Sequence, residues 1–168
     1  MLMQQRNIVL IGMPGAGKST AGILLAKNLG MDFIDTDIVI QNTQHKTLQA
    51  IIEDDGYLAL RAIEESVISG LVCHNTVIAT GGSAVYSTAA MLHLKKNATL
   101  VYLDVTLAQL RLRIHNYDDR GIAMAPGQTF EALFDERAKL YHQFADIIIH
   151  SSQQTAQQTT DNIERQLP

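Results

Sequence analysis

Residues 12–20 constrain this chain more than any other stretch. They read G-M-P-G-A-G-K-S-T and fit the phosphate-loop pattern G-x-x-x-x-G-K-[ST]. The apolar run at residues 7–11 before them predicts a parallel strand that is buried on both faces. Apolar residues at helical spacing follow as far as Gly30, which predicts a helix that ends at a left-handed glycine. A strand, a glycine-rich turn and a helix in this order predict a nucleotide-binding site.

The residue types of this loop match the chemistry of phosphate binding. Glycines let backbone N–H groups turn toward phosphate oxygens at the positive end of the helix dipole. We expect Lys18 to reach the β- and γ-phosphates of the nucleotide and the Ser19 hydroxyl to face a Mg²⁺ ion that bridges them. The nucleotide-binding residues predicted in the loop are Gly15, Ala16, Gly17, Lys18, Ser19 and Thr20.

Composition limits the partners of the chain. The 168 residues are 46% hydrophobic, so we expect one compact domain over residues 1–168. A net charge of −4 without a basic block argues against nucleic acid, and no apolar run approaches the roughly 18 residues that span a bilayer. Cys73 is the single cysteine, which fits a cytoplasmic location and excludes a multi-cysteine zinc site. We therefore expect a monomer that binds small molecules, with Mg²⁺ arriving with the nucleotide.

Strand patterns alternate with helix patterns along the whole chain. This alternation predicts an α/β fold of three layers, α/β/α, around a five-stranded parallel sheet with right-handed crossovers. The strands are predicted at residues 7–11, 33–34, 76–80, 99–103 and 146–150, and the last helix near Asp161 to Leu167.

Two acids follow the second predicted strand, at Asp35 and Asp37. The carboxyl ends of parallel strands form the ligand-binding edge of such a sheet, so both side chains are expected beside the phosphate loop. One carboxylate can orient the water shell of magnesium, and the other can bind or deprotonate an acceptor hydroxyl. An Asx turn that caps the following helix explains the same residues equally well.

Two further features are open to both a structural and a functional interpretation. Arg61 and Glu64 lie three residues apart on a predicted helix, a spacing that is most simply a solvated ion pair. Gly81 and Gly82 follow the third strand, where they allow a ligand to approach the backbone or make a tight turn.

Two arginines further along the chain are candidates for binding anions. Residues 116–128 contain Gly, Pro and Asp around Arg120, so they predict a lid loop whose basic residue closes over the transferring phosphate. Arg137 interrupts the apolar stripe of the next helix, and a buried guanidinium needs an anionic partner from the protein or a ligand.

Taken together, these motifs resemble those of the shikimate kinase family, in the same order and over nearly the whole chain. The family pattern combines a phosphate loop, D-[ST]-D, R-x-x-E, G-G-G, a basic lid and R-x-P-x-Y. The chain has D-T-D at residues 35–37, R-A-I-E at 61–64, G-G-S at 81–83 and R-A-K-L-Y at 137–141. It departs from the pattern at Ser83 and Lys139, and its lid reads R-G-I-A at residues 120–123.

The resemblance implies transfer of phosphate from ATP to the 3-hydroxyl of shikimate, a step toward chorismate and the aromatic amino acids. It implies that Asp37 binds the shikimate hydroxyls and acts as base, and that Asp35 serves the magnesium shell. Arg61 and Arg137 would bind the shikimate carboxylate, with Glu64 fixing Arg61. The backbone of Gly81 and Gly82 would contact the same substrate. Lys18 and Arg120 would stabilise the transferring group, and Arg113 would face the nucleotide.

Other functions remain open on the sequence alone. A kinase for another hydroxy acid or polyol, such as gluconate, would keep the phosphate loop and the lid without needing both Arg61 and Arg137. A nucleotide-dependent switch or an inactive scaffold is a different class. The guanine-reading motif N-K-x-D is absent from the sequence, and a scaffold has little reason to keep Asp35 and Asp37.

Overall fold

The computed structural model describes residues 6–115 and 120–168. Five strands are connected by helices along this part of the chain, with one short 3₁₀ turn at Ala84–Tyr86. In chain order the elements are β1 Asn7–Ile11, α1 Lys18–Leu29, β2 Asp32–Asp35, α2 Thr36–Gln44, α3 Leu48–Asp55, α4 Tyr57–Ser69, β3 Thr76–Ala79, α5 Thr88–Lys95, β4 Ala98–Asp104, α6 Leu107–Arg113, α7 Phe130–Phe144, β5 Ile147–His150 and α8 Ala156–Gln166.

The sheet is parallel and has the strand order β2-β3-β1-β4-β5, so the predicted α/β/α fold is confirmed. β1 lies at its centre, and every residue of this strand is buried, as its apolar sequence predicts. The chain passes from β1 to β2 and β3 on one side and then to β4 and β5 on the other. Ligands bind at the carboxyl edge of such a sheet where the connections diverge. The phosphate loop begins at this edge.

Two apolar clusters hold the helices in place. The larger joins the sheet to the helices, with α1 packed against both β3 and α8. The smaller contains Ile40, Ile51, Leu60 and Ala123, so it links α2, α3 and α4 to the described part of the predicted lid. Ala123 is 3% exposed, which means that this segment is packed against the helices.

Side-chain hydroxyl caps start four of the helices between β2 and β5. The hydroxyls of Thr47, Ser87, Thr106 and Thr129 each accept a hydrogen bond from a backbone N–H in the first turn. Gly30 ends α1 with a φ of 65°, a left-handed conformation that favours glycine. These boundaries are therefore set by local interactions.

The C-terminal helix was predicted too short. It begins at Ala156, not near Asp161, because Thr155 and Gln158 form a capping box at its start. Thr159 and Thr160 are buried on its inner face, although their polarity is typical of a turn. Thr160 satisfies its hydroxyl by donating to the carbonyl oxygen of Ala156 at 2.9 Å.

The predicted lid is only partly covered by the structure, since residues 116–119 lie outside the described residues. Of the rest, Gly121 has a φ of 64° and donates its N–H to Gln49 Oε1 at 3.2 Å. A β-carbon at this glycine would collide with Leu48. Gly121 thus allows the segment to rest directly on α3. No helix in the described ranges is long and apolar enough to cross a membrane.

Candidate active site

The phosphate loop depends on left-handed glycines. Gly15 and Gly17 have φ values of 81° and 91°, and the loop closes with a hydrogen bond from the Ala16 N–H to the Met13 carbonyl at 3.1 Å. The Lys18 ammonium donates to the carbonyl oxygens of Gly12 and Met13 at 2.7 and 2.8 Å. Burial lowers the pKa of Lys18 to about 8, against the attraction of Asp37. This cation therefore lies inside the loop at the start of α1.

Asp35 makes two contacts, one through each oxygen of its carboxylate. Its Oδ1 accepts from the backbone N–H of Asp37 at 3.0 Å, which caps α2. Its Oδ2 accepts from the Ser19 hydroxyl at 2.5 Å. The cap and the contact with the phosphate loop use different oxygens of one carboxylate, so neither excludes the other.

The phosphate loop, α2, α4, the segment that follows β3 and α7 together line a cavity of about 370 Å³. It brings together most of the predicted site residues, from the phosphate loop to the glycine pair. They are Gly15, Gly17, Lys18, Ser19, Thr20, Asp37, Gly81, Gly82, Arg113, Arg120 and Arg137.

Asp37 is half-buried in the wall of this cavity, which Lys18 also lines. The two side chains carry opposite charges. Burial raises the pKa of its carboxyl, Lys18 lowers the pKa, and the like charge of Asp35 raises it again. A β-carbon on Gly81 would come within 2.8 Å of Asp37 Oδ1. Glycine at this position therefore keeps the space beside the Asp37 carboxylate free of a side chain.

Glu64 contacts a different partner from the one that the family resemblance implied. It is 2% exposed and accepts a short hydrogen bond from the hydroxyl of Ser83, whereas the resemblance had assigned it to fixing Arg61. Its other oxygen, Oε1, is buried without a hydrogen-bond partner in the described residues. Burial raises the pKa of Glu64 to about 7, although the Ser83 hydrogen bond acts in the opposite direction.

This raised pKa gives a pH dependence of stability. Between the ordinary value of 4.5 and about 7, folded Glu64 holds a proton that the unfolded chain has lost. We therefore expect the free energy of unfolding to decrease as pH rises through this range. Glu64→Gln cannot titrate, so its decrease should be smaller, by on the order of 1–3 kcal/mol. Urea denaturation of both proteins at pH 5 and pH 7 measures the difference, and an identical pH dependence would contradict the assignment.

Arg137 is 1% exposed, as its place in the apolar stripe of α7 predicts. Its Nη2 donates to the carbonyl oxygen of Ala123 at 2.8 Å, and its Nε donates to the Tyr86 hydroxyl at 3.4 Å. A β-carbon on Gly82 would lie 2.7 Å from Nη1. The guanidinium thus meets neutral oxygens and has one edge at the wall of the cavity.

Arg61 lies beside Arg137 but on another wall. It lines an adjoining cavity of about 240 Å³ with Ser83 and Tyr86. Its Nη2 reaches the same Ala123 carbonyl at 3.4 Å, while its Nε is buried without a partner among the described residues. The two guanidinium groups therefore converge on one oxygen, and Arg61 does not itself line the main cavity.

The glycine pair is held by hydrogen bonds from both sides. The Tyr141 hydroxyl donates to the Gly82 carbonyl at 2.6 Å, and the Gly81 N–H donates to the Thr36 hydroxyl at 3.2 Å. The Gly81 N–H, expected to contact substrate, is thus used within the protein. Because neither glycine has a β-carbon, the side chains of Asp37 and Arg137 can lie close to the backbone of the pair.

Arg113 and Arg120 lie beside the phosphate loop. The Arg113 guanidinium donates to the carbonyl oxygens of Gly15 and Ser152, each at 3.3 Å, so it joins the phosphate loop to the segment before α8. Arg120 is exposed at the lid end of the cavity, with its Nη1 close to Gly15. Both arginines therefore border the loop near Gly15.

Sequence patterns missed Tyr86, which contacts both Arg61 and Arg137. It lies three residues after Ser83, in the turn that leaves the glycine pair. The one sequence signal for Tyr86 was an aromatic residue close to the ligand-binding edge of the sheet. Its partners lie 25 and 51 residues away in the chain, so only folding identifies them.

Comparison with known proteins gives one consistent result. Residues 14–168 match the family model described as shikimate kinase. The chain is 35% identical over 162 residues to a shikimate kinase from Thermobifida fusca, covering 95% of this chain and 94% of that protein. It is 33% identical over 169 residues to a shikimate kinase from Vibrio cholerae, covering 99% and 97%.

A solved structure agrees with these sequence matches. A shikimate kinase from Acinetobacter baumannii, in complex with shikimate, superimposes with a TM-score of 0.86 at 32% identity. The alignment covers 95% of this chain and 91% of that one.

Proposed function

This chain belongs to the shikimate kinase family, and we propose that it transfers the γ-phosphoryl group of ATP to the 3-hydroxyl of shikimate. The observation that carries the proposal is the convergence of Lys18, Asp37 and Arg137 on one cavity beside the phosphate loop. The reaction needs a cation that binds phosphate, a carboxylate that binds the acceptor hydroxyl and a cation that binds the acceptor carboxylate. Lys18, Asp37 and Arg137 supply these groups in that order.

On the nucleotide side, we assign phosphate binding to the N–H groups of the loop and to Lys18 at the start of α1. Arg120 closes over the transferring phosphate from the lid. Arg113, already hydrogen-bonded to Gly15 and Ser152, borders the groove between the loop and the start of α8. These groups stabilise charge that develops on the phosphoryl oxygens, which is the main task of a protein in phosphoryl transfer.

On the acceptor side, Asp37 accepts the proton of the attacking hydroxyl. The acceptor oxygen forms a bond to the γ-phosphorus, the bond from that phosphorus to the β–γ bridging oxygen breaks, and ADP leaves. The raised pKa of Asp37 suits this role, because a base works best when its pKa lies nearer the working pH. Arg137 and Arg61, whose guanidinium groups both reach the Ala123 carbonyl, bind the carboxylate of the acceptor.

Two oxygen ligands fit a magnesium ion at this site. The Ser19 hydroxyl and the Asp35 carboxylate lie together next to the loop, and Mg²⁺ typically binds one or two such groups plus waters and substrate phosphates. We assign Ser19 to the metal directly and Asp35 through its water. When bound, the ion neutralises charge on the β- and γ-phosphates.

The proposal includes a setting for the reaction. We propose a monomeric, single-domain enzyme that acts in the cytoplasm on ATP and a small anionic hydroxy acid, without nucleic acid or membrane. The net charge of −4 and the single cysteine support this assignment. Its product would enter aromatic amino-acid biosynthesis.

Release of ADP from ATP and Mg²⁺ tests the proposal with a panel of acceptors. The panel contains shikimate, quinate, gluconate, homoserine and nucleoside monophosphates. We expect turnover with shikimate alone. Turnover with gluconate in place of shikimate would mean that the same site phosphorylates another hydroxy acid. No turnover with any acceptor would favour a nucleotide-binding scaffold.

A further inference from the structure

Tyr86 lies between the two arginines that converge on Ala123. Its ring faces the Arg61 guanidinium, with Arg61 Cζ 3.6 Å from the ring centroid. Arg137 Cζ lies 5.4 Å from the same centroid. Both distances are within the range of cation–π attraction, and the first is close stacking of a guanidinium on an aromatic face. One side chain thus contacts both cations.

The hydroxyl of Tyr86 makes two hydrogen bonds that fix the orientation of the ring. It accepts from Arg137 Nε at 3.4 Å and donates to the exposed Glu136 Oε1 at 2.5 Å. Burial raises the pKa of Tyr86, so the phenol stays neutral and keeps its proton for Glu136. The ring is therefore anchored to α7 at one end, and to the turn after the glycine pair at the other.

Arg61 needs such a support because its acidic neighbour on α4 is engaged elsewhere. Glu64 lies one helical turn from Arg61, but it accepts the hydrogen bond from Ser83. No salt bridge of Arg61 is found within residues 6–115 and 120–168. A second ring, Tyr57, lies farther from Arg61, with Arg61 Cζ at 5.1 Å from its centroid. The close contact of Tyr86 is thus the principal side-chain support of this guanidinium.

We propose that Tyr86 is a positioning residue that holds Arg61 and Arg137 in the orientation that receives the carboxylate of the acceptor. The inference rests on the proposed function, because it gives the two arginines the same ligand. An arginine that is held before binding loses less rotational freedom when its ligand arrives, so pre-organisation increases affinity. Tyr86 acts through the arginines and has no contact with the reacting atoms.

The role predicts which kinetic constant changes. Tyr86→Leu removes the ring, and we expect the KM for shikimate to rise about 10-fold, as for loss of a partly desolvated cation–π contact. Both kcat and the KM for ATP should stay within about 2-fold, because binding of the carboxylate is the same in the ground and transition states. Tyr86→Phe keeps the ring over Arg61 and should restore most of the affinity.

An acceptor that lacks the carboxylate charge separates the loss of arginine positioning from general damage to the acceptor site. Shikimate carboxamide cannot pair with guanidinium groups as a carboxylate does, so its KM should differ by less than about 2-fold between wild type and Tyr86→Leu. Equal loss for shikimate and for its carboxamide would overturn the proposal, as would an unchanged KM for shikimate. Failure of Tyr86→Phe to recover affinity would also overturn a role for the ring.

A spectroscopic measurement keeps this test distinct from that of the function. The Arg61 side-chain protons lie over the Tyr86 ring, so their NMR signals should be shifted upfield in wild type and in Tyr86→Phe, and lose this shift in Tyr86→Leu. Wild-type protein that does not phosphorylate shikimate would overturn the proposed function. An Arg61 signal that does not respond to Tyr86→Leu would overturn the positioning role in either case.

Discussion

Asp37→Asn is expected to lower kcat for shikimate by about 10²- to 10⁴-fold, the usual contribution of a general base. The amide has nearly the same shape as the carboxylate but cannot accept the proton of the attacking hydroxyl. Asp37 is half-buried, and its backbone N–H, not its side chain, makes the α2 cap with Asp35. The fold should therefore be retained. Steady-state phosphorylation of shikimate at saturating ATP measures the effect.

Asp32→Asn is the matched control for this change. Asp32 is exposed at the amino end of β2, on the opposite edge of the sheet from the cavity. It should keep wild-type kcat and melting temperature. A normal kcat in Asp37→Asn would remove Asp37 from the role of base. A melting temperature far below that of the control would contradict the expectation that the fold is retained.

Arg137→Ala is expected to raise the KM for shikimate by about 30- to 1,000-fold, the effect of losing one partner of a buried, hydrogen-bonded charge pair. The KM for ATP should change by less than about 3-fold, because Lys18, Arg113 and Arg120 are assigned to the nucleotide. Since the side chain is 1% exposed, the alanine variant also leaves a void beside Ala123 and Tyr86.

Arg137→Lys separates the loss of binding from the loss of packing. Lysine fills most of the space and keeps the charge, but it cannot make the paired contacts of a guanidinium. It should raise the KM for shikimate at least 10-fold while leaving the melting temperature close to that of wild type. Lys139→Ala, an exposed position on the same helix, serves as control. Equal losses of affinity for shikimate and ATP would contradict the assignment to the acceptor.

The parts of the fold that were predictable are those with local causes. The loop 12–17 has its glycines where φ is positive, and four helices start at a Ser or Thr whose hydroxyl caps them. The start of α8 is marked by a local signal, the Thr155–Gln158 capping box, which the prediction overlooked because the polar residues around it are typical of a turn. Packing against α1 buries two of these residues, Thr159 and Thr160.

The roles of the acids show a different limit. The sequence placed Asp35 and Asp37 at the ligand-binding edge, but it could not decide between a helix cap and a metal ligand. The structure gives Asp35 the cap through one oxygen and the contact with Ser19 through the other. Since the cap and the contact with Ser19 use different oxygens, the cap does not exclude the proposed role of Asp35 in the magnesium shell.

The amino-acid sequence by itself determined the phosphate loop, the parallel sheet and the list of charged residues available for chemistry. These depend on residue types and on short-range spacing, which are visible in one segment at a time. Only the tertiary structure decided which of those charges meet. Glu64 accepts a hydrogen bond from Ser83 and makes none with Arg61. The Tyr86 ring contacts Arg61 of α4 and Arg137 of α7, and both arginines donate to the Ala123 carbonyl. These contacts join elements far apart in the chain, so packing of the whole domain sets them.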